Sequence, residues 1–419
     1  MRPTTTRGPS RTVAGLALAN FVLLGSVAVI FPLLPDIQEA HDLSTGEIGV
    51  ISAMAFAAGL IAQLGLARFV DRGYARTMLI AAALVCAAGL VWVAVAETLW
   101  QFMGARFIEG LGYALFGPAA RAVAAAEDPD RMGANLGMLS AGELAGIVVG
   151  PLMGSVFGQW WGLDAPFWIL AVVSLTLAVG LTRVDTSRLD EQRHQQTRRA
   201  TLRGVVAKGP VRRAALLQLA LFLPVGTYDV LWARYLTDLG ASSLFVGLSF
   251  SIYGIPYVAV ALFGTRLIDR VGAIRSAWWS LVAIVPCVVG YGLLGRPGLL
   301  AAVSIPEAFA NAIGAPAAQA AMAEACEPEE LGTGQGLGGA MGIGAAGLAA
   351  VSMAPLYDAW GGFAAFTATG VSMLVVGAVA LSTGGRRRPV GAAPPALHDG
   401  LDIGVAQSSG GATSVSAER

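Results

Sequence analysis

A chain of 419 residues that is 55% hydrophobic, only 13% charged and formally neutral is not composed like a water-soluble globule, which carries about 25% charged residues. Zero net charge excludes a global attraction to nucleic acid, so the missing charge has to be read segment by segment. About 20 consecutive apolar residues suffice to cross a ~30 Å hydrocarbon core.

In chain order, twelve such windows are predicted as spans 1 to 12: residues 13–35, 48–68, 77–96, 99–125, 133–158, 165–183, 214–236, 244–266, 276–295, 298–323, 333–357 and 363–383. Arg2, Arg7 and Arg11 precede span 1, whose apolar run is too long for a cleaved signal peptide, so it reads as a signal anchor. Loop 1–2 holds Asp36, Glu39, Asp42 and Glu47 with no Lys or Arg. Arg68, Arg72 and Arg76 lie between spans 2 and 3, and a basic cluster from Arg183 to Arg213 joins spans 6 and 7. Arg266, Arg270 and Arg275 lie between spans 8 and 9, and Arg386, Arg387 and Arg388 follow span 12. Arginine-rich loops stay in the cytoplasm. The expectation is a multi-pass protein of the cell inner (plasma) membrane with both termini cytoplasmic. Cys86 and Cys287 fall inside spans and Cys326 at a cytoplasmic end, which argues against a disulfide framework.

An internal repeat sets the architecture. "ARFVDRGYAR" (67–76) returns as "TRLIDRVGAIR" (265–275), placing Asp71 and Asp269 198 residues apart. In span 4, "IEGLGYALFGPAARA" (108–122) returns in span 10 as "PEAFANAIGAPAAQA" (306–320). There Glu109 maps on Glu307 and Pro118 on Pro316 at the same interval. The reading is an all-α membrane protein of two homologous six-helix bundles, 1–183 and 214–383, joined by a cytoplasmic linker, 184–213. Its Gly-, Ser- and Ala-rich tail, 384–419, is expected to be disordered. Halves with an even number of spans are related by an axis along the membrane normal, the arrangement of transporters whose halves rock about a central cavity. The three histidines, His41, His194 and His398, lie in loops or tail, and no His/Cys cluster, Walker loop or nucleophile elbow appears. The sequence therefore predicts no enzyme, no metal and no cofactor. A proton gradient is left as the energy source, and a monomer is expected.

Three motifs carry a resemblance. "ARFVDRGYAR" and its second copy "DRVGAIR" supply Asp71, Arg72, Arg76, Asp269, Arg270 and Arg275. Span 5 reads "GMLSAGELAGIVVGPLMGSVFG" (137–158), with Gly137, Gly146, Gly150-Pro151 and Gly154 at fixed spacing. Span 4 carries "RFIEG" (106–110). Together they resemble the major facilitator superfamily over about 13–383, and span 5 resembles its twelve-span drug:proton antiporter branch. The chain departs from the family pattern at Ala67, where a Gly is usual, at Ser155, and at Glu109, where a Gln is common. The resemblance implies that the loop charges form a cytoplasmic latch, with Glu127, Asp128, Glu324 and Glu327 as candidate partners. It also implies proton-coupled efflux of small apolar or amphipathic molecules; a sugar or metabolite effluxer and a non-transporting sensor or scaffold are the alternatives.

Residue chemistry adds site candidates. Glycines four apart form one small-residue groove on span 5, where helices approach closely in lipid, and Pro151 adds a bend; a sliding contact between halves is expected there. Arg106 and Glu109, three apart, share a face of span 4. Charges at mid-bilayer face a partner or a wet cavity, so Glu109, Glu143 and Arg106 are the proton-coupling candidates. Glu307, Asn311, Asp229 and Tyr113 are the substrate-binding candidates. Counting from Arg213 places Asp229 about 24 Å along its helix and near the outer face, where a hydrated interfacial carboxylate is expected beside a belt of Trp232 and Tyr235. Phe107, Tyr113, Phe116, Phe222 and Phe309 are candidate cavity aromatics, with plain helix packing as the alternative.

Overall fold

The computed structural model describes residues 10–65, 69–70, 72–128, 131–187, 189, 202–261, 264–327 and 330–383. Asp71, linker residues 188 and 190–201 and the whole predicted tail 384–419 lie outside the described residues. Among the described residues the structure is helical, with no strand.

Span 1 is Arg11–Ala28, capped by Ser10, whose side chain accepts from the Val13 N–H. Pro32 and Pro35 then force a short 3₁₀ turn, Phe31–Leu33, before the helix resumes as Leu34–Ala40. Spans 2 to 6 are Thr45–Gly65, Ala75–Ala94, Leu99–Glu127, Met132–Trp161 and Ala165–Leu181. Span 4 opens on a capping box in which Thr98 and Gln101 satisfy each other's backbone N–H groups. A short helix, Leu202–Ala207, precedes span 7, Gly209–Asp238, and spans 8 to 10 are Ser243–Ala261, Ala273–Tyr291 and Pro297–Ala325. Leu331–Ser382 runs 52 residues, about 78 Å if straight and more than twice the hydrocarbon thickness. Gly361, at φ 74°, breaks it into spans 11 and 12, a backbone conformation that glycine adopts without steric cost.

Nine described helices are long and apolar enough to cross a membrane, the 52-residue one among them. Span 6 is shorter, and span 4 interrupts its apolar run with Arg106 and Glu109. Counting these two and dividing the longest at Gly361 gives the twelve predicted spans.

Packing follows the repeat. Span 1 packs on span 5 and span 3 on span 4, while span 7 packs on span 11 and span 9 on span 10; spans 2 and 11, and spans 5 and 8, meet across the two groups. The span-5 glycines do not lie on that meeting line. A Cβ on Gly146 would stand 2.6 Å from the Phe21 carbonyl oxygen, and one on Gly150 2.6 Å from that of Gly25. The groove therefore clasps span 1 within its own half, which corrects the expected sliding contact between halves. Span 5 meets span 8 on another face, where Gly247 receives Ser155 and Gly254 receives Val148, so the small residues there belong to span 8.

Candidate functional site

A cavity of about 1060 Å³ lies between the two halves. Its wall is mainly aliphatic and aromatic, drawn from Val27, Phe31, Phe56, Tyr113, Ile147, Tyr228, Trp232, Phe250, Tyr253 and Tyr257, with Glu143, Asp229 and Glu307 set into it. Val70, Arg121, Leu202 and Gly332 extend the lining toward the arginine-rich loops. At the opposite end the halves close on each other. The Phe31 and Phe250 rings meet tilted at 36°, centroids 5.7 Å apart, and the Ser243 hydroxyl donates to Asp36 at 3.5 Å.

Span 4 holds the first charge cluster. Glycines grip it from two sides: Gly110 admits the Ala55 backbone of span 2, and Gly89 of span 3 lies against the backbone of Glu109. So held, Arg106 and Glu109 are each 1% exposed. One guanidinium nitrogen donates to Glu109 Oε2 at 2.5 Å and to the Val27 carbonyl at 3.2 Å. Arg106 Nε and Glu109 Oε1 make no hydrogen bond among the described residues. Asp229, from the other half, lies within electrostatic range of both, with Ser52 of span 2 beside it and its own Oδ2 unpartnered among the described residues.

Asp229 is therefore not an interfacial carboxylate. It is 6% exposed and lines the cavity. The helix begins at Gly209 and its 30 residues outrun the bilayer core, so Arg213 stands outside the hydrocarbon and the count from it misplaces the depth. Trp232, expected in an interfacial belt, is buried beside the cavity and donates its indole N–H to Ser249 at 2.9 Å. Tyr235 likewise donates to the Tyr291 carbonyl at 3.1 Å.

Glu143 is half-buried on the cavity wall and accepts from the Tyr113 hydroxyl at 2.9 Å. It is thus tied to span 4 through Tyr113, whereas Glu109 is closed off behind the wall. Glu307, ten residues into its helix as Glu109 is into span 4, sits at the same ~15 Å depth. It accepts from the hydroxyls of Tyr253 and Tyr291, each at 3.1 Å, and the Asn311 amide donates to Tyr253 at 3.4 Å. Among the other aromatics proposed for the wall, Phe116 is core and Phe309 is 38% exposed away from the cavity. Five of the eight tyrosines line the cavity instead, and the i,i+4 pair Tyr253 and Tyr257 on span 8 was the visible signal for them.

At the loop end, Arg76 donates to the Thr182 carbonyl at the end of span 6. Arg72, Asp269, Arg270 and Arg275 are exposed, and no ion pair joins Arg270 or Arg275 to Glu324 or Glu327 among the described residues. Glu327 is engaged by Lys208, at 2.9 Å.

The sequence model of the Major Facilitator Superfamily matches residues 16–232 and 214–406. The chain belongs to the Major Facilitator Superfamily. Its fold is accordingly the all-α membrane architecture of two six-helix bundles, and the chain is a multi-pass membrane protein. Solved major facilitator structures share the fold. The nucleoside transporter NupG superposes with a TM-score of 0.74 at 12% identity, covering 89% of this chain and 98% of its own. A bacterial homologue of the lysosomal transporter Spinster, inward-facing and unoccupied, gives 0.73 at 14% identity, covering 89% and 95%. Among curated relatives, the multidrug resistance efflux pump PmrA homologue of Lactococcus lactis is 28% identical over 168 residues, 39% of this chain and 41% of that protein. The multidrug resistance protein MdtG of Serratia proteamaculans is 31% identical over 168 residues, again 39% and 41%. The match thus spans about two fifths of the length of these relatives.

Proposed function

We infer that this major facilitator protein is a secondary active transporter that exports small apolar or amphipathic molecules in exchange for protons, by alternating access. The observation that carries the reading is the cavity: about 1060 Å³, walled by aliphatic and aromatic groups from both bundles, with three carboxylates in its wall. The relatives named as multidrug efflux proteins support the same substrate class. A sugar would need many amide and carboxylate partners, and Gln63 is the one amide side chain among the described lining residues, whose hydroxyls come mainly from tyrosines. Positive-inside topology puts the open end, with both termini, on the cytoplasmic side of the plasma membrane. The cavity then faces the compartment from which an exporter loads.

The buried charges supply the coupling. One guanidinium, Arg106, stands before two acids from different bundles, Glu109 and Asp229. It neutralises one; the other needs a proton to sit at that depth. When the bundles rock, Asp229 moves relative to Arg106, so the acid that needs the proton changes. Glu143, open to the cavity and held by Tyr113, is the group through which that proton reaches water. Alternating access needs the cytoplasmic end to close in the opposite state, and the Asp71/Arg72/Arg76 and Asp269/Arg270/Arg275 loops, which lie at that end, are the groups that close it in this reading.

The test is uptake into inverted vesicles with an imposed pH gradient, using a panel of hydrophobic compounds. Wild type is expected to concentrate substrate only while the gradient persists, and Glu109→Gln, Glu143→Gln and Asp229→Asn to lose the coupled part. Gradient-driven transport retained in all three would end the residue assignment.

A further inference from the structure

Span 5 turns into span 6 through Gly162, which takes φ 100°, a conformation open to glycine, and the Ala165 N–H closes the turn on the Gly162 carbonyl at 3.1 Å. Beside the turn lies a cleft of about 410 Å³, lined by Trp161, Leu163, Asp164, Trp168 and Ile169, none of which reaches the central cavity. Positive-inside topology puts this turn at the outer surface, so the cleft sits at headgroup level. Trp161 and Trp168 are 63% and 45% exposed, and the Trp161 ring stacks on Phe157 with centroids 5.2 Å apart. Asp164 is exposed as well. It is the N-cap residue of span 6, yet its side chain makes no capping hydrogen bond, and nothing else among the described residues engages its carboxylate.

Indoles are common at a bilayer interface, so it is the acid that needs an explanation. The equivalent turn of the second half shows the difference. Aligned on Gly361, which also has positive φ, Trp360 stands where Trp161 does, but Phe363 stands where Asp164 does. One turn is thus apolar, whereas the other sets a carboxylate beside two indoles, with no Lys, Arg or His in the cleft. A free carboxylate and indole faces together favour a cation. What runs on from the cleft favours a cation attached to acyl chains. Trp168, Val172, Leu175 and Val179, exposed at i, i+4, i+7 and i+11, form one apolar stripe along span 6. A cation-favouring cleft at headgroup level that continues into an apolar track fits a lipid.

We propose that the outer turn between spans 5 and 6 binds one phospholipid with a primary-ammonium headgroup, phosphatidylethanolamine, its ammonium against Asp164 and the faces of Trp161 and Trp168 and an acyl chain along the span-6 stripe. The ammonium donates to the free carboxylate and supplies the counter-charge that the cleft lacks. The inference depends on the membrane topology and not on the transport reading.

The test is native mass spectrometry of the full chain, released from detergent micelles holding equimolar phosphatidylethanolamine and phosphatidylglycerol with the same acyl chains. Wild type is expected to retain the ethanolamine lipid in about tenfold excess. Asp164→Asn should cut that excess about threefold, and Trp161→Leu with Trp168→Leu should erase it. The wild-type comparison of the two lipids needs no variant and so stands whether or not the variants fold. Asp358→Asn, an exposed acid beside the equivalent turn, should leave the excess unchanged; a loss as large as that of Asp164→Asn would reduce the site to general surface charge. Glycerophosphoethanolamine, the headgroup without acyl chains, should not compete at the lipid's own concentration, and equal competition would overturn the lipid in favour of a soluble amine. Equal retention of the two lipids by wild type, or an unchanged excess in Asp164→Asn, overturns the site.

Discussion

Two glycines of one motif are predicted to respond to alanine with opposite signs. At Gly146 the added Cβ would stand 2.6 Å from the Phe21 carbonyl oxygen and 3.0 Å from the Gly25 nitrogen. The first is about 0.8 Å short of an ordinary 3.4 Å contact. Both neighbours are backbone, so neither yields alone, and span 1 must part from span 5 by most of an ångström. Overpacking of that kind costs about 1–3 kcal/mol. The parted helices also carry Val27, the acceptor of Arg106. At Gly137 nothing lies within 4 Å, so alanine only removes backbone freedom and stabilises the helix by up to about 1 kcal/mol. Thermal unfolding of the two variants in detergent, followed by a thiol-reactive dye on the buried Cys86, measures the difference. Gly146→Ala should melt several degrees below wild type and Gly137→Ala at or above it. Equal melting temperatures would refute the clasp between spans 1 and 5.

Breaking the Arg106–Glu109 pair with Glu109→Gln leaves a buried guanidinium short of charge and should cost about 3–5 kcal/mol, less whatever Asp229 recovers by taking the guanidinium over. Arg106→Met with Glu109→Leu should regain most of that stability and still lose proton coupling, which separates folding from mechanism by melting and flux. Lys208 holds Glu330 below the ordinary carboxylate value of 4.5, first through its hydrogen bond and then with help from the Glu327 N–H; hydrogen bonds to the Glu330 and Glu327 carboxylates raise Lys208 above 10.5. The Glu330 contribution is complete above 4.5 and fades as pH falls through its lowered value, while that of Lys208 is complete below 10.5 and fades as pH rises beyond it. A Lys208→Ala melting difference should therefore be present at neutral pH and vanish in acid. In a chain with its three cysteines replaced, Ala340→Cys on the cavity wall should react with an impermeant maleimide from the side of the arginine-rich loops and resist it from the other.

The twelve spans were legible because lipid leaves few alternatives: apolar length and arginine placement are imposed by the bilayer. The repeat at 198 residues was legible for the same reason that it is structural, since Glu109 and Glu307 occupy the same depth in equivalent helices. Side-chain partners were less so. Spacing three apart puts Arg106 and Glu109 on one helix face, and the structure pairs them there, Glu109 being one of three acids the sequence offers to Arg106. It said nothing of Asp229, which lies within electrostatic range of Arg106 from the other bundle, nor of Tyr113 bridging to Glu143 across 30 residues. The facing of the span-5 glycines was misread for a related reason: periodicity shows that a small face exists but not which helix fills it.

The central claim is that a proton gradient and substrate movement are linked through the mid-membrane acids. Purified protein in liposomes, with substrate inside or outside and pH set independently on each side, tests it most directly. The account predicts that collapsing the gradient stops uphill substrate movement, and that adding substrate downhill moves protons the opposite way in wild type but not in Glu143→Gln. Substrate movement at the same rate and extent with the gradient present, absent or reversed would contradict it.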